Sequence, residues 1–256
     1  MRGDELHYLE RMKSTQNAAR FAHANEWIFD LDNTLYPREA ALFAQIDKRI
    51  TGYVAKLTGL GPDEARILQK KFYREHGTTL AGLMAEHGID PLHYLTDVHD
   101  IDYSVLKPHP ELGEVIAALP GRKHIFTNGD TRHAERTLAA LGIEPHFDAT
   151  FDIVAAGYEP KPRAIAFERF IDTHRLDPRE AVMFEDMARN LEQAKKHGMA
   201  TVLVIPLRGT DHGAEDWESE GHDGDHIDHV TDNLEAFLRR LPHSNSVAEA
   251  IKNPAN

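Results

Sequence analysis

The sequence predicts an α/β fold, a parallel sheet with helices on both faces, interrupted after its first strand by an all-helical insert. Three observations lead there. From about residue 106 onward, short apolar runs alternate with helical patterns of about ten residues, as in crossover units that lay strands side by side in parallel. Between a first apolar run at 26–30 and that region, residues 36–105 carry helical periodicity and few strand signals. Several of the apolar runs break into polar or acidic residues at their carboxyl ends, where open parallel sheets place their ligands.

In chain order, residues 1–24 form a leader with Leu6, Leu9 and Met12 at near-helical spacing. The strand at 26–30 follows, then the turn Tyr36-Pro37-Arg38-Glu39. Leu42, Phe43, Ile46, Ile50 and Val54 repeat as one helix face. Further helices are expected from Asp63 to Gly77 after the Gly61-Pro62 break, from Thr78 to His87 before Gly88, and from Pro91 to Val98. The alternating region then predicts helices at 111–119, 132–141, 164–174 and 188–197, with strands at 123–126, 151–155, 181–184 and 201–205. A last helix is expected at 232–241, and 242–256 has the composition of a disordered tail. Residues 25–35 and 106–241 are thus assigned to the sheet-bearing core and 36–105 to a helical lid over the carboxyl end of its first strand.

Composition narrows the function. The 256 residues are 41% hydrophobic and 28% charged, as in ordinary globular proteins, and no uninterrupted apolar segment approaches bilayer length. No membrane partner is expected. Acidic residues stand where a signal peptide would be basic, so a cytoplasmic location is expected. The absence of cysteine excludes disulfides, cysteine nucleophiles and thiolate metal sites. With 29 Lys and Arg against 42 Asp and Glu, the net charge of −13 repels a nucleic-acid polymer, but a small phosphorylated substrate remains open. The expected assembly is a monomer or homodimer. In the Gly-, Asp- and His-rich segment 207–228, read as an exposed loop, and just beyond it, His212, His222, His226 and His229 match no closed zinc or nickel ligand set.

Four segments point to phosphate chemistry. The first, Trp27-Ile28-Phe29-Asp30-Leu31-Asp32, ends a buried strand in two carboxylates whose i, i+2 spacing lets both face one hard cation and one substrate. A surface turn with two acidic residues is the simpler account of that pair alone. The second, Phe126-Thr127-Asn128-Gly129-Asp130, leads from a strand into a helix start. It suits an anion site with Thr127 as donor, a helix-capping turn at Asp130 or Thr131, or both. In the third, Glu159-Pro160-Lys161-Pro162-Arg163, two prolines stiffen the backbone around a lysine that could hold a compact positive charge against a phosphoryl group, although a solvated surface lysine is the simpler account of that segment alone. The fourth, Val182-Met183-Phe184-Glu185-Asp186, repeats the first layout, so two acidic strand ends can enclose a magnesium ion.

In this order the four segments resemble the haloacid dehalogenase superfamily, most of whose members are phosphatases: Asp30 and Asp32 match its first motif, Thr127 its second, Lys161 its third, Glu185 and Asp186 its fourth. The resemblance covers about residues 25–240. It implies a Rossmann-like core with a helical cap inserted after the first motif. It further implies Asp30 as nucleophile, Asp32 as general acid and base, and a magnesium ion held by Asp30, the backbone carbonyl of Asp32, and Asp186. Lys161, Thr127 and Asn128 would bind the phosphoryl group, with Glu185 positioning Lys161 or the metal's waters. Asn190 stands where many relatives carry a second acidic residue. Asp32 favours phosphoryl transfer over dehalogenation, since a halide leaves without a proton. Asp30-Leu31-Asp32-Asn33-Thr34-Leu35-Tyr36-Pro37, with residues 72–83 and 98–103, is similar to the pyrimidine 5'-nucleotidase branch, which implies dephosphorylation of UMP or CMP. Gly77-Thr78-Thr79 is then a cap turn that could close over a nucleotide. The alternatives are a phosphatase for another small ester, such as a sugar phosphate, phosphoglycolate or pyridoxal phosphate, and a phosphomutase.

Overall fold

A computed structural model describes residues 21–206 and 221–241; the leader up to residue 20, His212 and the tail at 242–256 lie outside the described residues. Strands β1 (Glu26–Phe29), β2 (Arg122–Phe126), β3 (Ala149–Phe151), β4 (Ala181–Glu185), β5 (Ala200–Val204) and β6 (His229–Thr231) form one sheet in the order β3-β2-β1-β4-β5-β6, every pair parallel. The central strands β1, β4 and β5 are buried along their whole length. That is why they read as continuous apolar runs and not as alternating ones.

Side chains alternate across the sheet. Trp27 and Phe29 face one layer with Ile125, Val182 and Phe184, covered by α5 (Pro110–Ala118), α6 (Thr131–Leu141) and α9 (Leu234–Leu238). Ile28, Phe126 and Met183 face the other, covered by α7 (Ala164–His174) and α8 (Ala188–Lys196). The parallel sheet with helices on both faces is the predicted class.

Between β1 and β2 the chain forms α1 (Leu42–Thr58), α2 (Pro62–His76), α3 (Thr79–His87) and α4 (Pro91–Val98). Their starts follow local chemistry. Pro62 opens α2, Thr78 accepts from Ala81 N to cap α3, and Asp90 accepts from Leu92 N to cap α4. These helices bury a core of their own, with Val54, Phe72, Leu83 and Tyr94, to which Ile153 from the loop after β3 contributes. Gly82 allows that packing, because a Cβ there would lie 2.6 Å from the Cβ of Phe72. Among the described residues no helix is long and apolar enough to cross a membrane.

The structure corrects the sequence reading at two strands. The run expected as strand over 151–155 is a strand only at Ala149–Phe151. Beyond it, the Asp152 carboxylate accepts from Thr131 N at 2.8 Å, Thr131 Oγ1 at 2.7 Å and Ala155 N at 2.7 Å, which turns the chain. The region after residue 205 was expected to hold no strand, yet His229–Thr231 pairs with β5 at the sheet edge. The last helix is also shorter than expected, at Leu234–Leu238.

Candidate active site

The carboxyl ends of β1, β2 and β4 converge on one cavity of about 450 Å³, lined on the core side by Asp30, Asp32, Thr127, Asn128, Glu185, Asp186 and Asn190. Asp30 follows the last residue of β1, and its N–H donates to the carbonyl of Phe184 at 2.9 Å, so the sheet ladder itself sets the nucleophile candidate against β4. Thr127 N donates to Phe151 O at 3.1 Å and continues the ladder on the other side.

Lys161 lies beneath this cavity, 1% exposed. Its Nζ donates to Asp30 Oδ1 at 2.7 Å, Glu185 Oε2 at 2.7 Å and Phe126 O at 2.6 Å, which uses all three N–H groups. Its backbone is held as firmly: Lys161 N donates to Asn128 Oδ1 at 2.9 Å, and Asn128 Nδ2 donates to Lys161 O at 3.2 Å. Asn128, expected to donate to substrate, spends one donor and its acceptor on fixing the lysine. Glu185 Oε1 accepts from Asn190 Nδ2 at 3.1 Å and from Met187 N at 3.3 Å. The amide at 190 thus gives the Glu185 carboxylate a donor that an ionised acidic residue would not supply.

Carboxyl oxygens of Asp30, Glu185 and Asp186 come within 4.8 Å of one another. Burial pushes Asp30 up to about 7, Glu185 adds to this, and Lys161 offsets it only in part. Burial, with Glu185 and Asp30 beside it, also holds Asp186 well above the usual carboxylate range. Lys161 is held above its ordinary value because Asp30 and Glu185 outweigh its own burial. Two of these carboxylates thus share the Lys161 ammonium, while Asp186 feels the more distant charge of Arg38, which also lines the cavity. An all-oxygen, under-neutralised set of this kind suits a hard divalent cation that keeps water or phosphate among its ligands. The Asp32 carboxylate lies outside this cluster, in which Glu185 is the third member; the expected part of Asp32 in the metal set is its backbone carbonyl.

This charge imbalance gives a measurable pH effect. Asp30 in the unfolded chain titrates near 3.8 and in the folded protein near 7, so between those values the folded state binds more protons and stability falls as pH rises. Millimolar magnesium is expected to raise the melting temperature more at about pH 8, where the cluster is ionised, than at about pH 6. Equal shifts at both pH values, measured by differential scanning fluorimetry, would exclude cation binding at these carboxylates.

Asp32 Oδ1 accepts from Tyr36 OH and from His133 Nε2, the latter at 2.9 Å. Burial raises Asp32, but His133, Tyr36 and His99 outweigh it and hold the carboxyl below its ordinary range. Thr34 Oγ1 donates to Asp30 Oδ2 at 3.1 Å. The sequence reading did not find Thr34, Tyr36, His99 or His133 as site residues. His133 had one available signal: with Ala134, Thr137 and Leu138 it falls on the buried stripe of α6, where an ionisable side chain needs a partner. Asp130 does cap that helix, accepting from His133 N at 2.8 Å, while Thr127 Oγ1 accepts from Gly129 N at 2.9 Å and still has its own proton to donate.

The helical insert closes the cavity with Thr78, Thr79, apolar side chains including Phe43, Ile46 and Leu80, and a polar cluster. In that cluster Asp47 accepts from Arg66 at 2.7 Å, Gln69 at 2.6 Å and Lys70 at 2.9 Å. Gly77 O accepts from Arg189 Nη2 at 3.4 Å, which ties the turn before α3 to α8. Of the histidines in or beside the 207–228 segment, His226 meets Ala188 O and His229 packs on Phe237, and neither they nor His222 join a metal-competent group among the described residues.

Residues 28–198 match the family model of haloacid dehalogenase-like hydrolases, a span that includes Asp30, Asp32, Thr127, Lys161, Glu185 and Asp186. The chain belongs to this family. It is 28% identical over 201 residues to phosphate metabolism protein 8 of Saccharomyces cerevisiae, covering 70% of this chain but only 61% of that protein. Among solved structures it resembles a HAD phosphatase from Thermococcus onnurineus, with a TM-score of 0.54, 19% identity and coverage of 84% of this chain and 96% of that one. It also resembles L-2-haloacid dehalogenase from Xanthobacter autotrophicus, with a TM-score of 0.52, 17% identity and coverage of 91% and 100%. At these identities the two likenesses show the HAD-like fold and leave the reaction within the family open.

Proposed function

We propose that this haloacid dehalogenase-like hydrolase is a magnesium-dependent phosphomonoesterase that hydrolyses pyrimidine nucleoside 5'-monophosphates to nucleoside and phosphate. The observation that carries the phosphatase reading is a second carboxylate, Asp32, on the cavity that holds Asp30, one buried beside an ammonium and the other fixed by Tyr36 and His133. Two carboxyl groups in such different surroundings suit two different roles. With no cation or substrate bound, Asp30 is the more readily protonated and Asp32 the more readily ionised, so the roles proposed here need a cation's charge at Asp30 and a phosphate's charge beside Asp32. A departing alkoxide needs a proton and a halide does not, so the pair favours a phosphate ester over a haloacid. The name of the yeast relative agrees with that direction.

In the proposed reaction an oxygen of Asp30 attacks phosphorus, and the bond from phosphorus to the ester oxygen breaks as Asp32 gives that oxygen a proton. Water then attacks the phosphorus of the aspartyl phosphate. Asp32 takes its proton, and phosphate leaves with Asp30 restored. Lys161, with its N–H groups engaged, acts through its charge at Asp30, while Thr127 and the free donor of Asn128 hold phosphoryl oxygens. Asp30, Asp186 and the backbone carbonyl of Asp32 would hold the magnesium ion, with Glu185 shared between it and Lys161. When bound, the ion supplies the counter-charge that lets a carboxylate approach a phosphate dianion.

The nucleotide assignment rests on similarity to the pyrimidine 5'-nucleotidase branch and on a cavity of about 450 Å³, within the range of small-molecule sites. Its far wall, where apolar side chains stand beside the Asp47–Lys70 pair, offers a flat heterocycle both packing and polar contacts. The same reading treats residues 36–105 as the cap and the protein as a cytoplasmic monomer or homodimer.

Phosphate release with magnesium, with and without EDTA, across UMP, CMP, AMP, GMP, a sugar phosphate and p-nitrophenyl phosphate is the test. Release that is EDTA-sensitive and highest on UMP and CMP is expected. Higher turnover of the sugar phosphate would keep the chemistry and replace the substrate. Conversion without free phosphate would indicate a mutase.

A further inference from the structure

Asp32 is held by a chain of side chains that reaches from the core to the segment joining the insert to it. His133, fully buried, presents Nε2 to Asp32 Oδ1 at 2.9 Å and Nδ1 to the hydroxyl of Tyr103 at 2.9 Å. The ring of His99, the residue that closes α4, stacks on the His133 ring with centroids 4.4 Å apart and planes 9° from parallel. His99 Nδ1 in turn lies 3.2 Å from Asp130 Oδ1, at the cap of the helix that carries His133. The guanidinium of Arg136 covers the Tyr103 ring at 4.0 Å. Gly129 leaves room for this arrangement, since a Cβ there would sit 3.0 Å from His133 Cδ2.

A buried imidazole with both nitrogens bonded and a ring stacked on its face has one orientation available. The carboxylate it meets is restrained with it. His133 Nε2 and Tyr36 OH both meet Oδ1, so Oδ2 is the oxygen left to exchange a proton with an ester oxygen. A general acid depends on such placement, since reach to the leaving oxygen within hydrogen-bond distance decides whether the proton moves.

We propose that His133 is a positioning residue for the leaving-group step: fixed by Tyr103 and His99, it holds Asp32 so that Oδ2 can deliver its proton to the departing ester oxygen. Because Tyr103 and His99 belong to the end of the insert and its link to the core, this device makes seating of the insert part of leaving-group protonation. It rests on the reading of Asp32 as the general acid. His133 itself makes no contact with substrate in this scheme.

The discriminating readout is leaving-group dependence. The term kcat/KM covers every step through loss of the leaving group, and an alkyl phosphate needs the proton far more than p-nitrophenyl phosphate does. For His133→Leu, the loss in kcat/KM on the best alkyl phosphate of the panel is expected to exceed that on p-nitrophenyl phosphate by about tenfold or more. His133→Gln, whose amide can still donate to Asp32, is expected to recover part of that ratio. Tyr103→Phe, which disturbs the core less, is expected to shift it in the same direction by a smaller amount. Equal losses on both substrates in His133→Leu and Tyr103→Phe would overturn the inference, since a merely structural role lowers both alike. Asp32→Asn separates the two readings. A strong preferential loss on the alkyl ester there, without one in the His133 and Tyr103 variants, retains Asp32 as acid and removes His133 from the step. No preferential loss in Asp32→Asn would remove the acid itself.

Discussion

Asp30→Asn is expected to abolish phosphate release, with kcat falling by a factor on the order of 10⁵, while the protein remains folded. The attacking oxygen of a carboxylate is replaced by a neutral amide that cannot form an aspartyl phosphate. Little else changes, since Asn has the same shape and its carbonyl can still accept from Lys161 or Thr34, the two donors now on Asp30. The folded protein gains in one respect. Burial and Glu185 push Asp30 up to about 7, so its ionised form is a cost that the amide removes. Without added metal the variant's melting temperature at about pH 8 should match or exceed that of the parent, and the magnesium-induced shift should shrink. Steady-state turnover and thermal melting on the same preparation make the check. Turnover within tenfold of the parent would be incompatible with Asp30 as nucleophile.

Lys161→Met should lose both turnover and stability. The ammonium it removes is shared by Asp30 and Glu185, and Glu185 is 1% exposed, so deletion leaves buried carboxylates facing each other without a cation. Breaking a buried ion pair by removing one partner costs about 3–5 kcal/mol. The sign with pH follows from the same charges. As pH falls Asp30, pushed up to about 7, takes up a proton and the penalty shrinks, so urea denaturation should show a larger loss at about pH 8 than at about pH 5. Arginine is not expected to rescue, because its planar fork is wider than the pocket in which one nitrogen meets Asp30, Glu185 and Phe126 O together. A variant as stable as the parent at both pH values would show that the lysine is not the counter-charge described.

The polar strand ends at Asp30, Thr127 and Asp186 were legible in the sequence because each follows an apolar run long enough to be a buried strand. Parallel strands then bring their carboxyl ends together whatever the loops do. Lys161 was legible as a stiffened lysine, but its partners were not: Asp30 is 131 positions away and Glu185 is 24. Phe151-Asp152-Ile153-Val154-Ala155 has the composition of a strand, and only the hydrogen bonds from Thr131 to Asp152 reveal why it turns after Phe151. His229–Thr231 is too short and too polar to announce itself, and becomes a strand because β5 offers it an open edge.

By itself, then, the sequence determined the class of the fold, the family and the strand-end residues that line the core side of the cavity, since burial period and strand-end chemistry are local properties of a chain. Tertiary structure decided which carboxylate faces which partner. It paired Asp30 and Glu185 with one lysine, gathered Asp30, Glu185 and Asp186 into one acidic cluster, and sent the Asp32 carboxylate to Tyr36 and His133. Apart from Asp32 and Tyr36, four positions apart, those choices depend on contacts that span from 24 to 131 positions, where burial makes each charge find its counterpart, and no local pattern encodes them.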